Sequence, residues 1–306
     1  MVCTRPIEGY RAPGGQITFS RRSGWSDKPV TVPCGQCNGC RLEKSRQWAM
    51  RIMHEASLYE DNVFLTLTYN DNNLPQDESL ILEHHQLFMK RLRKKNEGRT
   101  IRYYHCGEYG DTTLRPHYHT IVFNLDFKDK LYLKTTESGS KLYISEKLDD
   151  LWSHGDCYIG NVTFESAAYC GRYVMKKLTG ARKSEYGSRA PEYSTMSRRP
   201  GIGSPWLQKW NRDCYPNDFC IMNGRKIRVP KAYDQLMINS ETKIGSWTTD
   251  HTGFPMWMPE IQSTPMEVLK RKRIRSAAKH SDNQTRDRLD VIEELTQLRV
   301  DRLARS

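Results

Sequence analysis

His117-Tyr118-His119 sets two imidazoles two residues apart. On a β-strand that spacing turns both rings to one face, where they can grip a single metal ion. Downstream, Tyr169 and Tyr173 stand one helical turn apart with Lys176 beside them, in the run Tyr169-Cys170-Gly171-Arg172-Tyr173-Val174-Met175-Lys176. A phenol, with an ordinary pKa of about 10, attacks phosphorus poorly unless a cation stabilises the phenolate and the developing charge. Lys176 is the candidate for that role. A divalent ion held by the histidines would polarise the scissile phosphate oxygens and orient the backbone for in-line attack. Metal plus tyrosine is a combination suited to DNA nicking.

Each group has a plainer reading. Two histidines in a strand also serve as satisfied structural residues, and aromatic residues four apart on a helix are usually core. At about 100° per residue, however, Ala167, Cys170, Val174 and Leu178 form one stripe, while Tyr169, Tyr173 and Lys176 cluster on nearly the opposite side. A polar cleft explains two phenols and an ammonium there better than packing does, a solvated face being the alternative. The remaining histidines, His54, His84, His85, His105, His154, His251 and His280, read as structural or surface residues.

The elements that must position these groups follow from the pattern of the chain. Phe64-Leu65-Thr66-Leu67-Thr68-Tyr69 is β-branched and aromatic and runs into the turn composition of residues 70 to 75, so it reads as a strand. Residues 101 to 106 and 118 to 124 read as two more, joined through the loop Gly110-Asp111-Thr112-Thr113-Leu114-Arg115-Pro116. An antiparallel hairpin folded about that loop brings Glu108 nearly opposite His117, where a carboxylate can complete a metal site. Two imidazoles and one carboxylate with open positions suit Mg²⁺ or Mn²⁺, and the nitrogen ligands favour Mn²⁺.

Helices are expected over residues 41 to 60, with Trp48, Ile52, Ala56 and Tyr59 on one stripe, and over 80 to 95, with Leu82, His85, Phe88, Met89 and Leu92. A third runs from an N-cap at Thr163 to Gly180. The order helix, strand, helix, strand, strand, helix predicts α+β architecture, an antiparallel sheet with helices against it. Residues 1 to 33 read as loops, residues 181 to 262 show no clear period, and residues 263 to 306 are helical in pattern. That last stretch holds the basic run Lys270-Arg271-Lys272-Arg273-Ile274-Arg275 and then Val291, Leu295 and Leu298.

Composition narrows the partners. Across 306 residues, 48 Lys and Arg stand against 36 acids, a formal charge of +12, which points to an anionic partner such as nucleic acid. The low mean hydropathy and the lack of any apolar run near the ~20 residues of a membrane helix argue against an integral membrane protein. The start carries no hydrophobic signal segment. Nine cysteines are then expected in a reducing cytosol, where clusters bind metal or stay free. Cys34, Cys37 and Cys40, with Cys3 as a fourth, can make a tetrahedral zinc site tying the N-terminus to the core. Iron-sulfur ligation and free thiols are the competing readings.

The strand at 64 to 69, the His117-Tyr118-His119 triplet and the Tyr169/Tyr173/Lys176 helix resemble, in order, the three motifs of HUH rolling-circle replication initiators. Pro33-Cys34-Gly35-Gln36-Cys37 through Arg41, Gly107-Glu108-Tyr109-Gly110 and Ser197-Arg198-Arg199-Pro200-Gly201-Ile202-Gly203 look more closely like the replication initiators of gokushovirus-type microviruses (Microviridae), small single-stranded DNA phages. The wider family usually carries an aliphatic residue where Tyr118 stands.

The resemblance implies the HUH endonuclease fold and a site-specific nick in single-stranded origin DNA. The 5′ phosphate would be esterified to tyrosine and a 3′ hydroxyl left for the host polymerase, with strand rejoining later. It implies Tyr169 and Tyr173 as nucleophiles, Lys176 as the assisting cation, and Glu108, His117 and His119 around Mg²⁺ or Mn²⁺. The expected division is a Cys-rich segment over 1–40, a nuclease core over 41–180, a family-specific extension over 181–262 and a basic helical tail over 263–306. The expected location is the cytoplasm of a bacterial host. No Gly-x-x-x-x-Gly-Lys-Ser/Thr loop is present, so unwinding would fall to a host helicase. An HUH transposase or relaxase shares the chemistry, and a noncatalytic basic nucleic-acid-binding protein shares the charge.

Overall fold

A computed structural model describes residues 3–13, 16–27, 29–176, 184–215, 217–241, 245–249 and 255–259, with Leu269, Glu293, Thr296 and Gln297. At 173–176, 240–241, 245–249 and 255–259 it describes the backbone alone. The chain divides into two compact units, Met1–Ser45 with Ala277–Ser306, and Arg46–Ser276.

In the first unit, β1 (Ile7–Arg11), β2 (Ile17–Thr18) and β3 (Pro29–Val32) form an antiparallel sheet in the order β2-β1-β3. The sequence predicts loops here, and the reason it misleads is physical. The strands are two to five residues long, and Ile7 and Ile17 are exposed, so no alternating buried face marks them. Helix α1 (Asn38–Ala56) starts in this unit and runs into the second.

The second unit is built on a seven-stranded antiparallel sheet. Its elements begin with β4 (Asn62–Leu67), a single 3-10 turn (Asp71–Asn73), α2 (Leu82–Lys95), β5 (Arg102–Tyr109) and β6 (Pro116–Phe123). They continue with β7 (Leu131–Thr135), β8 (Lys141–Ile144), α3 (Glu146–Trp152), β9 (Cys157–Asn161), α4 (Phe164–Lys176) and β10 (Tyr193–Met196). The strand order is β10-β5-β6-β4-β9-β8-β7. Beyond the sheet come α5 (Ser204–Cys214), the hairpin β11 (Phe219–Met222) and β12 (Arg225–Arg228), α6 (Lys231–Glu241), and the hairpin β13 (Gly245–Thr249) and β14 (Pro255–Pro259). The architecture is α+β, an antiparallel sheet flanked by helices.

Period-two alternation assigns the faces. In β4, Val63, Leu65 and Leu67 are buried with Phe88, Met89 and Leu92 of α2 and Leu148, Leu151 and Trp152 of α3. Phe64, on the opposite face, packs with Tyr104, Cys106, Ile121 and Phe123 beneath Ala49, Ile52 and Ala56 of α1 and Ala167 and Cys170 of α4. The apolar line predicted for α2 is buried except at its first member, for Leu82 is 37% exposed at the helix start. A third cluster joins Met50, Leu207, Cys214, Cys220, Val229 and Tyr233, giving order to residues that show no period in sequence.

Among the described residues no helix is long and apolar enough to cross a membrane. The basic run at 270–275 and the expected helical residues Val291, Leu295 and Leu298 lie outside the described residues, as do residues 177–180 at the expected end of α4.

Candidate active site

The hairpin β5–β6 carries the centre of the site. Its register pairs Glu108 with His117 and Cys106 with His119, the pairing that folding about residues 110 to 116 predicts. Residues directly opposite share a face, so Glu108, His117 and His119 converge on the face covered by α1 and α4. Glu108 Oε1 lies 2.7 Å from His117 Nε2 and 2.9 Å from His119 Nε2. The three ligand atoms fall within 4.8 Å of one another, a spacing that one divalent ion can bridge.

Each ring is oriented by its second nitrogen. His117 Nδ1 donates to the Arg115 carbonyl at 3.2 Å, because a carbonyl only accepts. His119 Nδ1 bonds Thr66 Oγ1 at 3.1 Å, and Phe64 stacks on the same ring at 5.3 Å between centroids. Thr66 reaches His119 because β4 pairs with β6 at that position. Arg115 is itself held, its guanidinium donating to Asp71 at 2.7 Å and to the Tyr69 carbonyl at 3.0 Å. Burial works to raise the Glu108 carboxyl, but the hydrogen bonds from His117 and His119, with their charges, together hold it below its ordinary value. Glu108 is therefore ionised at neutral pH, as a metal ligand must be.

Helix α4 brings the phenol. Thr163 and Ser166 bond reciprocally, Thr163 N to Ser166 Oγ at 2.9 Å and Ser166 N to Thr163 Oγ1 at 3.2 Å, so the start of the helix is fixed by its own residues. Ala167 and Cys170 are buried against the sheet, as the helical stripe predicts. Tyr169 is half-buried, lying edge-on to His119 at 5.1 Å and against Phe64 at 6.5 Å. Its hydroxyl donates to Glu108 Oε1 at 3.4 Å. Tyr169 does not stand on a solvated face. The Arg172 guanidinium lies 5.6 Å from the Tyr169 ring. Tyr173 and Lys176 belong to α4, and their side chains lie outside the described residues.

A cleft of about 620 Å³ opens over this group, lined by Thr66, Tyr69, Arg115, His117, His119 and Tyr169 among others. The structure thus brings together Glu108, His117, His119 and Tyr169. Separately, in the first unit, it brings together Cys3, Cys34, Cys37 and Cys40. Sequence reasoning does not single out Thr66, Arg115 or Arg172. Thr66 stands in a quoted strand and Arg172 three residues after Tyr169, but only the strand pairing and the folded loop reveal what they touch.

The family model described as "Replication-associated protein ORF2" matches residues 62–178, the span that holds every group in this cleft. "Replication-associated protein VP4" of Bdellovibrio phage phiMH2K is 36% identical over 242 residues, covering 76% of each chain. "Replication-associated protein ORF2" of Spiroplasma virus 4 is 31% identical over 260 residues, covering 78% of this chain and 80% of its own. "Replication-associated protein ORF4" of Chlamydia phage 1 is 26% identical over 227 residues, 72% of this chain and 57% of its own. No solved structure matches the chain. With identity of this level across three quarters of its length, the chain belongs to the replication-associated protein family of the microviruses.

Proposed function

We propose that this chain initiates rolling-circle replication by nicking single-stranded origin DNA through a covalent 5′-phosphotyrosine. One observation carries the proposal: the Tyr169 hydroxyl sits 3.4 Å from the carboxylate oxygen on which both histidine Nε2 atoms converge. A nucleophile and a cation site that share a group can act on the same phosphate.

Glu108, His117 and His119 fit a divalent ion by donor type, spacing and ring orientation, with Mg²⁺ or Mn²⁺ as the cation. When bound, that ion supplies charge neutralisation and orientation at the scissile phosphate. The chain's residues do the rest. The Tyr169 oxygen bonds to phosphorus, the bond from phosphorus to the 3′ oxygen breaks, and the phenol loses one proton as the leaving oxygen gains one. The products are a 5′-phosphotyrosyl strand and a free 3′ hydroxyl for a host polymerase, with a host helicase opening the duplex ahead. Arg172 beside the Tyr169 ring favours the phenolate, and Lys176 is the second candidate cation. Tyr173, four residues on, would attack after one circuit, and the 3′ hydroxyl freed by that cut would resolve the first phosphotyrosine and close the circle. An HUH transposase or relaxase would share this chemistry, whereas the kinship with phage replication proteins supports replication.

Incubation with single-stranded fragments tiling the cognate phage genome and Mn²⁺ is expected to give an adduct that survives boiling in detergent. Tyr169→Phe/Tyr173→Phe is expected to abolish it. An adduct that persists in the double variant refutes the nucleophile assignment. Binding without cleavage under every divalent metal makes the chain a noncatalytic binder.

A further inference from the structure

We propose that Cys3, Cys34, Cys37 and Cys40 form a tetrathiolate zinc centre that holds the N-terminal segment folded. The sulfur geometry is the first ground. Four thiolates around Zn²⁺ at about 2.3 Å are about 3.8 Å apart along each edge of the tetrahedron. Here the sulfurs of Cys3 and Cys34 are 3.6 Å apart and those of Cys3 and Cys37 are 3.8 Å apart, and all four lie within 4.8 Å of one another. A disulfide needs about 2.05 Å, and all four cysteines are unbridged.

The backbone around the cluster is arranged for anionic sulfur. The Cys34 amide points at Cys3 Sγ at 3.3 Å, and the Gln36 and Cys37 amides point at Cys34 Sγ at 3.4 and 3.3 Å. A thiol is a weak acceptor and a thiolate a good one, so these amides favour the ligating form. Gly35, at φ +74°, supplies the left-handed residue through which the chain turns back on Cys34. Cys40 lies in the first turn of α1, where no acidic residue competes for the positive end of the helix dipole.

The third ground is what the segment lacks. Between Cys3 and Cys34 only Thr4 and Gly9 are buried among the described residues, so the sheet β2-β1-β3 encloses no apolar core. A fold without a core needs a staple. A metal that binds the folded form alone supplies that stability directly. Binding is balanced as Zn²⁺ plus four thiols giving the tetrathiolate complex of net charge 2− plus four protons.

The test uses full-length protein purified without chelator. Elemental analysis is expected to find about one zinc per chain in the wild type and in Glu108→Ala/His117→Ala/His119→Ala, and none in Cys34→Ser/Cys37→Ser. Should that cysteine variant fail to fold, the wild type decides. Chelation is expected to expose four additional reactive thiols and to speed tryptic cleavage between Arg5 and Arg22 at least about tenfold, by opening the segment. Cobalt replacing zinc is expected to give the absorption of a tetrahedral tetrathiolate complex. Thiols of the wild type that react fully without chelator, stoichiometric iron in place of zinc, or zinc that leaves with the histidine variant would each overturn the proposal. Because the readouts are metal content and thiol reactivity, they succeed or fail independently of nicking.

Discussion

The hydroxyl of Tyr118 grips both backbone groups of Ile81, accepting from its amide at 2.8 Å and donating to its carbonyl at 3.0 Å. Ile81 is the N-cap of α2 and offers no side-chain cap, so a tyrosine from the middle of the histidine triplet does the capping. Tyr118 faces away from His117 and His119, into the core beneath α2, where it is fully buried. The Tyr69 hydroxyl at 2.9 Å then donates to Tyr118, since the Tyr118 proton is already committed to Ile81, and Tyr69 accepts in turn from His84 Nδ1 at 2.7 Å. The departure from an aliphatic residue thus has a structural use: it ties the strand that bears the histidines to a helix on the opposite face.

Tyr118→Phe keeps the ring and removes these bonds, leaving the Ile81 amide and carbonyl unsatisfied. A loss of roughly 1–3 kcal/mol in urea unfolding is expected, with Mn²⁺ affinity unchanged because no metal-facing group is touched. A variant as stable as wild type would show that the cap is redundant.

Glu108→Gln tests the carboxylate at constant shape. The amide oxygen still accepts from the imidazoles, but the negative charge is lost, so Mn²⁺ affinity is expected to fall at least about tenfold. Titration calorimetry in Mn²⁺ checks this, with circular dichroism to establish that the fold persists. Unchanged affinity would exclude Glu108 as a ligand.

How much was legible follows the range of the interactions. The Glu108 and His117 pairing was readable because both lie on one hairpin with a loop of recognisable composition. The α4 stripe was readable because a helix repeats locally. β7 was missed because all five of its residues are exposed, which erases alternation. His85 and His105 read as structural or surface residues, and nothing in sequence shows that they stack at 3.3 Å while both bond Thr120. Ser197-Arg198-Arg199-Pro200-Gly201-Ile202-Gly203 was recognisable only by resemblance. Its physical use depends on residues about 150 positions earlier in the chain.

That loop yields a prediction about buried charge. Glu55, whose side chain is fully buried, pairs with Arg102 at 2.5 Å and accepts from the Gly203 amide at 2.7 Å. Arg102 also donates to the Pro200 and Gly201 carbonyls, and Arg51 to that of Ile202. Gly203 sits at φ +76° against the Tyr233 hydroxyl, where a side chain has no room. Arg102→Met strands the Glu55 carboxylate in the core and is expected to cost about 3–5 kcal/mol. Adding Glu55→Leu removes the stranded charge and is expected to recover part of that loss. A double variant no more stable than Arg102→Met would mean that the carbonyl contacts, not the charge, dominate.

Acid should weaken this fold before its carboxylates titrate. Burial pushes His54 down to about 4 and His85 to about 3, and drives His105 well below the ordinary imidazole value. In the unfolded chain the same rings titrate near about 6.5. Between the two values the unfolded chain binds protons that the folded chain refuses. Stability is therefore flat above about pH 7 and falls as pH drops from about 6.5 toward 4, by up to about 1.4 kcal/mol per pH unit for each histidine. Urea midpoints at pH 7.5 and 5 measure the slope. His54→Phe keeps a ring against Trp206, where the imidazole stacks at 3.6 Å, and cannot titrate. Its slope is expected to be shallower by one histidine's share. A wild-type midpoint that does not move between these two pH values would show that these imidazoles take up protons without unfolding.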